Sequence, residues 1–208
     1  MNIVAIESSS NICSVSSFKD NKLENVIDTF SEKSNSDSIP FLLQAIIKDF
    51  DNIKEIDCFA VSVGPGSFTG LRSAISIVKG MVFASKIKIA PVPTFQSMNL
   101  KINHRGVHFL ILSSFKNKCF VQEFKSLKKV GDPFIETIEN LKTIESPIYG
   151  YSCNKIKQSN YKEFKLSSIM IGEYAIANYK EIAKDYNSSI NPIYLSSNKY
   201  VQINDRKS

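Results

Sequence analysis

Three glycines and a proline crowd into residues 64–72, GPGSFTGLR, between an apolar run and a long helical pattern. Such a density demands a tight backbone turn. Gly64, Pro65, Gly66 and Gly70 shape it, and Ser67 or Thr69 offers a side-chain oxygen to cap the following helix. A helix N-terminus exposes N–H groups and a positive dipole end, so the turn suits an anion such as a phosphate. The common nucleotide loops fit poorly. A Walker loop has four residues between its glycines and then Lys-Ser/Thr; here three separate Gly66 from Gly70, and Leu71-Arg72 follows. The dinucleotide fingerprint G-x-G-x-x-G is one residue shorter than this run, and the next strand ends Ala90-Pro91-Val92-Pro93 with no acid for a ribose hydroxyl. The competing reading is structural, a capped turn that lets a helix pack close to its sheet. The residues leave both open.

Other chemistry is sparse. His104 and His108 have the HxxxH spacing, which on a helix places both on one face within reach of a metal. Gly106 lies between them and His108 starts an apolar, strand-like run, where the pair would stand about 13 Å apart. No metal is expected there. Serines abound, but none sits in a G-x-S-x-G elbow. Cys13, Cys58, Cys119 and Cys153 are widely spaced, with no CxxC pair, and read as four reduced thiols without zinc.

These residues must be positioned by elements with a legible order. Residues 3–6, 11–18 and 23–30 read as three strands, the last two separated by the turn signal Lys19-Asp20-Asn21. Ile39, Leu42, Leu43, Ile46, Ile47 and Phe50 recur on one helical face, with Asp37 or Ser38 to cap and Pro40 in the first turn. A buried strand at 58–63, a helix at 67–85 and a strand at 87–92 imply a parallel crossover. On that helix Leu71, Ala74, Ile75, Val78, Met81 and Val82 form a core stripe, while Ser76, Gly80 and Ala84 form a second stripe of small residues. Small residues at this spacing let another helix approach closely, which marks an interface. Further on, 107–112 and 118–124 read as paired strands, 147–150 as another, and 169–186 as a late helix. The end beyond 187 is polar and reads as coreless.

The 208 residues, 43% hydrophobic and 22% charged, exclude wholesale disorder and suffice for a core without staples. No run approaches the roughly 18 apolar residues of a membrane span. No basic residue precedes 3–6 and Glu7 breaks the apolar run, so no signal peptide is expected and the cytoplasm is the expected compartment. The net charge of +6 permits an anionic partner. Arg72, Arg105 and Arg206 are the only arginines, which disfavours sequence-specific nucleic-acid reading.

The turn at 64–72 closely resembles the signature of the bacterial TsaB (YeaZ) family, non-catalytic relatives of TsaD. Residues 3–10, IVAIESSS, resemble that family's opening; 11–18 resemble its second strand, 39–43 its first helix and 192–195 its ending. The likeness is dense over 1–95 and thin in the middle. It implies an α/β, actin-like ATPase (hexokinase-like) fold with two βββαβα lobes, the second reduced. On this basis residues 1–98 form the first lobe, 99–190 a smaller divergent lobe, and 191–208 a polar tail.

The resemblance further implies a subunit that binds TsaD in making N6-threonylcarbamoyladenosine in tRNAs. The ATPase TsaE joins through the complex, and tRNA is met indirectly. The partner surface would be the helices at 38–49 and 67–85, with Ile39, Leu42, Leu43 and Ile46 on one and Arg72, Ser73, Ser76, Ile77, Gly80 and Ala84 on the other. No cofactor is expected in this chain; ATP and metal belong to the partner. Glu7, Ser8 and Ser9 would be a vestigial nucleotide site, since the serine run lacks a glycine for phosphate approach. Glu7 replaces the family's usual Asp, residues 113–120 depart from its second-lobe pattern, and Ser196 replaces its final Arg. Two alternatives stand beside the scaffold: an ATP-dependent phosphotransferase or hydrolase using Glu7 and the 64–72 turn, and a homodimer through the same helices.

Overall fold

The computed structural model describes residues 1–30, 37–153 and 156–195. Two units divide the chain: Met1–Ser97 with Leu166–Ile193, and Met98–Lys165 with Tyr194–Ser208.

The first unit opens with β1 (Ile3–Glu7), β2 (Ile12–Lys19) and β3 (Lys22–Phe30). Asp20 and Asn21 take positive φ in the tight turn joining β2 to β3, as a two-residue hairpin requires. Then come α1 (Ile39–Ile47), β4 (Cys58–Gly64), α2 (Phe68–Ser85) and β5 (Lys88–Pro93). The sheet order is β3-β2-β1-β4-β5, with β1, β4 and β5 parallel. Every residue of β1 and β4 is buried, because both faces of the sheet are covered. Val4, Ile6, Cys13 and Val15 share a core with the inward residues of α1 and α2.

The opposite face is covered from a distance. Helix α5 (Ser168–Ala177) lies on it: Ser14 Oγ donates to Ser168 Oγ and accepts from the Ser168 amide, both at 2.8 Å. A Cβ on Gly172 would overlap the Phe18 ring, so this glycine sets how closely α5 seats. The expectation that 99–190 form one lobe is therefore corrected, since residues 166–193 return to the first unit. The late helix is also shorter than its apolar pattern. It breaks at Asn178 (φ −118, ψ 18) before α6 (Tyr179–Ile182). Nor is the chain after 187 coreless: Ile190 is buried in the first core and the Ile193 amide donates to Val63 O at 2.7 Å. The remaining tail, from 196 onward with Ser196 and Arg206, lies outside the described residues.

Helix α3 (Thr94–Ile102) runs across the boundary between the units. The second unit contains β6 (Val107–Ser113), β7 (Lys118–Lys125), β8 (Lys128–Thr137), α4 (Ile138–Leu141), β9 (Ile148–Tyr151) and β10 (Tyr161–Glu163). Its order, β8-β7-β6-β9-β10, repeats that of the first sheet with the same parallel and antiparallel pairs. The repeat is reduced: α4 is a single turn, and among the described residues no helix joins β9 to β10. Strand β8 escapes a sequence reading because Gly131 and Pro133 look like punctuation. It lies at the sheet edge, where proline costs no ladder bond.

Candidate functional site

The glycine turn leads from β4 into α2. Ser67 caps the helix, its Oγ accepting from the Gly70 amide at 3.3 Å. The Ser67 amide donates to Ser9 O at 2.7 Å, and Ser8 Oγ donates to Gly70 O at 3.1 Å. A Cβ on Gly66 would overlap the backbone of Ser9, and one on Gly70 would overlap Ser8 O. These glycines thus admit a second stretch of backbone, the turn between β1 and β2. Of the two readings left open by the residues, the geometry supports close packing over an anion cradle.

The same contacts bear on a nucleotide. An actin-like site would aim the amides of the β1–β2 turn at phosphate and use a first-lobe carboxylate beside the metal. Here the Ser8 amide donates to Ser62 Oγ at 3.2 Å and the Ser9 amide donates to a Glu7 carboxylate oxygen. Glu7, Ser8 and Ser9 are all buried. The Ser8 and Ser9 amides are thus engaged within the turn and turned away from any phosphate cradle. Burial pushes the Glu7 carboxyl up to about 7, against the hydrogen bonds from Ser9, Ser62 and Ser8. Among the described residues its Oε2 and the Ser9 Oγ have no hydrogen-bond partner.

The exposed surface of α2 is different in kind. Arg72, Ser76, Gly80 and Ala84 are exposed, Ser73 and Ile77 are half-buried, and among the described residues nothing lies within 4 Å of a Cβ built on Gly80. The small-residue stripe therefore faces outward, as its pattern predicts. Phe68 and Phe83 flank it at 54% and 68% exposure. The Arg72 guanidinium lies 5.0 Å from the Phe68 ring centroid. An open groove of about 550 Å³ is lined by Asp37, Phe68, Thr69, Arg72, Ser73, Ser76 and Ile77.

Helix α1 corrects the expected surface. Ile39, Leu42, Leu43 and Ile46 are buried in this chain's own core and cannot meet a partner. The outward residues of α1 are Pro40, Phe41, Gln44 and Ala45, with Phe41 72% exposed. Ser38 precedes the helix in αR geometry and makes no side-chain cap. The exposed Phe41 and Phe83 are large hydrophobes out of phase with their helices' core stripes, a signal present in the sequence; Phe68 keeps the phase of the α2 stripe and is exposed at the helix's first residue, which no period reveals.

His104 and His108 also depart from the extended geometry expected of them. Asn103 and Gly106 take positive φ, and the ring centroids lie 5.0 Å apart. Yet His108 is buried between Asn99 Oδ1 (2.8 Å) and Gly106 O (3.2 Å), and His104 Nδ1 faces Tyr149 Oη at 3.1 Å. Burial lowers the His108 pKa. Among the described residues no group of three or more His, Cys, Asp or Glu could hold a metal.

Two sheets of one strand order, three antiparallel strands leading into a parallel pair, define an α/β protein of the actin-like ATPase fold. The family model described as "TsaD: tRNA N6-adenosine threonylcarbamoyltransferase" matches residues 24–199, so the chain belongs to that family, on its TsaB/YeaZ side. The TsaB protein of Buchnera aphidicola subsp. Acyrthosiphon pisum is 26% identical over 155 residues, which is 67% of this chain and 70% of that protein. The Escherichia coli TsaB is 26% identical over 98 residues, 47% of this chain and 42% of that protein. Both are described as tRNA threonylcarbamoyladenosine biosynthesis proteins. YeaZ from Pseudomonas aeruginosa superposes with a TM-score of 0.73 at 14% identity, covering 93% of this chain and 99% of that one.

Proposed function

We propose that this chain is a non-catalytic subunit in tRNA threonylcarbamoyladenosine biosynthesis, acting in the cytoplasm as scaffold and activator of a TsaD-type enzyme. One observation carries this reading: the exposed, small-residue face of α2, with Phe68 and Phe83 exposed on the same helix and Phe41 exposed on α1. Exposed aromatics beside a row of small side chains suit a close helix–helix contact. The family match supports the identity of the partner. Nucleotide and metal are assigned to that partner, TsaE acts through the complex, and tRNA is met through the enzyme. The packing of Gly66 and Gly70 on Ser8 and Ser9 speaks against the phosphotransferase or hydrolase alternative. Without its partner the same face is expected to pair two copies of this chain.

Calorimetric titration with TsaD from the same organism, with and without ATP, tests the reading, alongside ATP added to this chain alone. Heat only with TsaD is expected. Saturable ATP binding by the lone chain, with no response to TsaD, would overturn it. Gly80→Leu should weaken the heterodimer at least tenfold while leaving the monomer folded, since a Cβ there meets none of the described residues. Unchanged affinity would remove α2 from the interface.

A further inference from the structure

Cys119 and Cys153 are 34 positions apart in sequence, yet their Sγ atoms lie 3.7 Å apart. The topology makes this meeting unusual. Cys119, on β7, pairs with Ser113, the last residue of β6. On the other side of β6, Leu112 pairs with Tyr151, the last residue of β9. Strands flanking a common neighbour stand about 9.6 Å apart, too far for a disulfide, whose Cα atoms lie within roughly 7 Å. The two cysteines meet only past the end of β6, where Ser152 takes φ 57 directly after β9 and Cys153 follows. The Cys153 thiol lies 3.3 Å from Tyr151 O. Both cysteines are buried in the second unit's core beside Ile138 and Leu141, while the adjoining Ser152 is exposed. The pair thus sits one residue beneath the surface.

We propose that Cys119 and Cys153 form a reversible intramolecular disulfide when the chain meets hydrogen peroxide, tying β7 to the segment that follows β9. The Cys119 thiolate attacks one peroxide oxygen; the O–O bond breaks and hydroxide leaves, to be protonated to water. The Cys153 sulfur then attacks the resulting sulfenic acid. Its S–O bond breaks, the S–S bond forms, and a second water leaves with the Cys153 proton. Two thiols give up two electrons, and one peroxide becomes two waters. A small dithiol reverses the step, being oxidised to its own disulfide. The sulfur–sulfur contact, in which either thiol can donate, holds Cys119 below the usual thiol range against its burial, in line with its role as the attacking sulfur. Closing the gap from 3.7 Å to a bonded S–S takes about 1.6 Å, shared between two side chains. Cys13 and Cys58, in the first unit, are pushed up to about 12 by burial and stay thiols.

The test uses the full chain, reduced, then exposed to hydrogen peroxide, denatured, alkylated and mapped by mass spectrometry. Two of the four thiols should be lost to alkylation, in one linked peptide containing Cys119 and Cys153, and dithiothreitol should restore both. Cys58→Ala should leave the linkage intact, and Cys153→Ala should abolish it, leaving Cys119 as sulfenic or higher acid. Mapping the unmutated chain decides the matter even if a variant fails to fold. Four alkylated thiols after treatment, a linkage through Cys13 or Cys58, or a crosslink between two chains would each overturn the proposal.

Discussion

Glu7 couples the stability of the first unit to pH. The folded state holds its proton up to about pH 7, while the unfolded chain releases it near 4.5, so folding takes up a proton between those values. Stability from this residue is fully present below pH 4.5 and is lost as pH rises through 7. The full loss amounts to about 3 kcal/mol. Glu7→Gln keeps an oxygen to accept from the Ser9 amide and carries no charge. Urea melts of the two proteins should therefore diverge between pH 5 and 8, with the variant increasingly the more stable. Parallel curves would mean that Glu7 is not desolvated. The glycines of α2 make a second comparison. Helix propensity alone favours alanine over glycine by about 1 kcal/mol at either position. Gly80→Ala should show that gain, since the space is open. Gly70→Ala should instead lose about 2 kcal/mol or more, because its Cβ meets the backbone oxygen of Ser8, which cannot rotate away.

At the scale of elements, α1 separates two roles in adjacent residues. Leu42 is buried in the core, so Leu42→Ala should cost about 2–5 kcal/mol in a denaturant melt. Phe41 is 72% exposed, so Phe41→Ala should change stability by no more than about 0.5 kcal/mol. If α1 shares the partner face with α2, that same variant should weaken TsaD binding in the titration. The apolar period of α1 was plain in the sequence, but the period identifies only a stripe that must be covered. It is silent on what covers it, and the stripe went to this chain's own sheet. On α2 the core stripe and the small-residue stripe were distinct in composition, so the outward side was legible. Strand β8 was hidden because proline and glycine are punctuation only where a strand must pair on both sides, and β8 pairs on one.

At the scale of the molecule, the first unit is completed by residues 166–193. A fragment of residues 1–98 would leave Phe18 and the α5-facing side of the first sheet uncovered. Such a fragment should unfold without a sharp cooperative transition by circular dichroism, and fusing residues 166–193 to it should restore one. A cooperative fragment would show that α5 contributes little to the first unit. The second unit repeats the strand order of the first with shorter connections, and its polar edge strands and single-turn helix explain why it was faint in the sequence.

Hairpin turns, strand alternation, helix stripes and the capped glycine turn were determined by the sequence itself, because each depends on residues within a few positions of one another. The glycine-turn motif was equally legible as a pattern, and with it the family resemblance. Only the tertiary structure decided what those glycines pack against, since Ser9 lies 57 positions before Gly66 and Ser8 lies 62 positions before Gly70. It likewise decided that α5 closes the first sheet, that His104 and His108 fold toward each other, and that Cys119 meets Cys153. Each of those depends on which distant surfaces are buried together, a choice made by the whole core and by no local period.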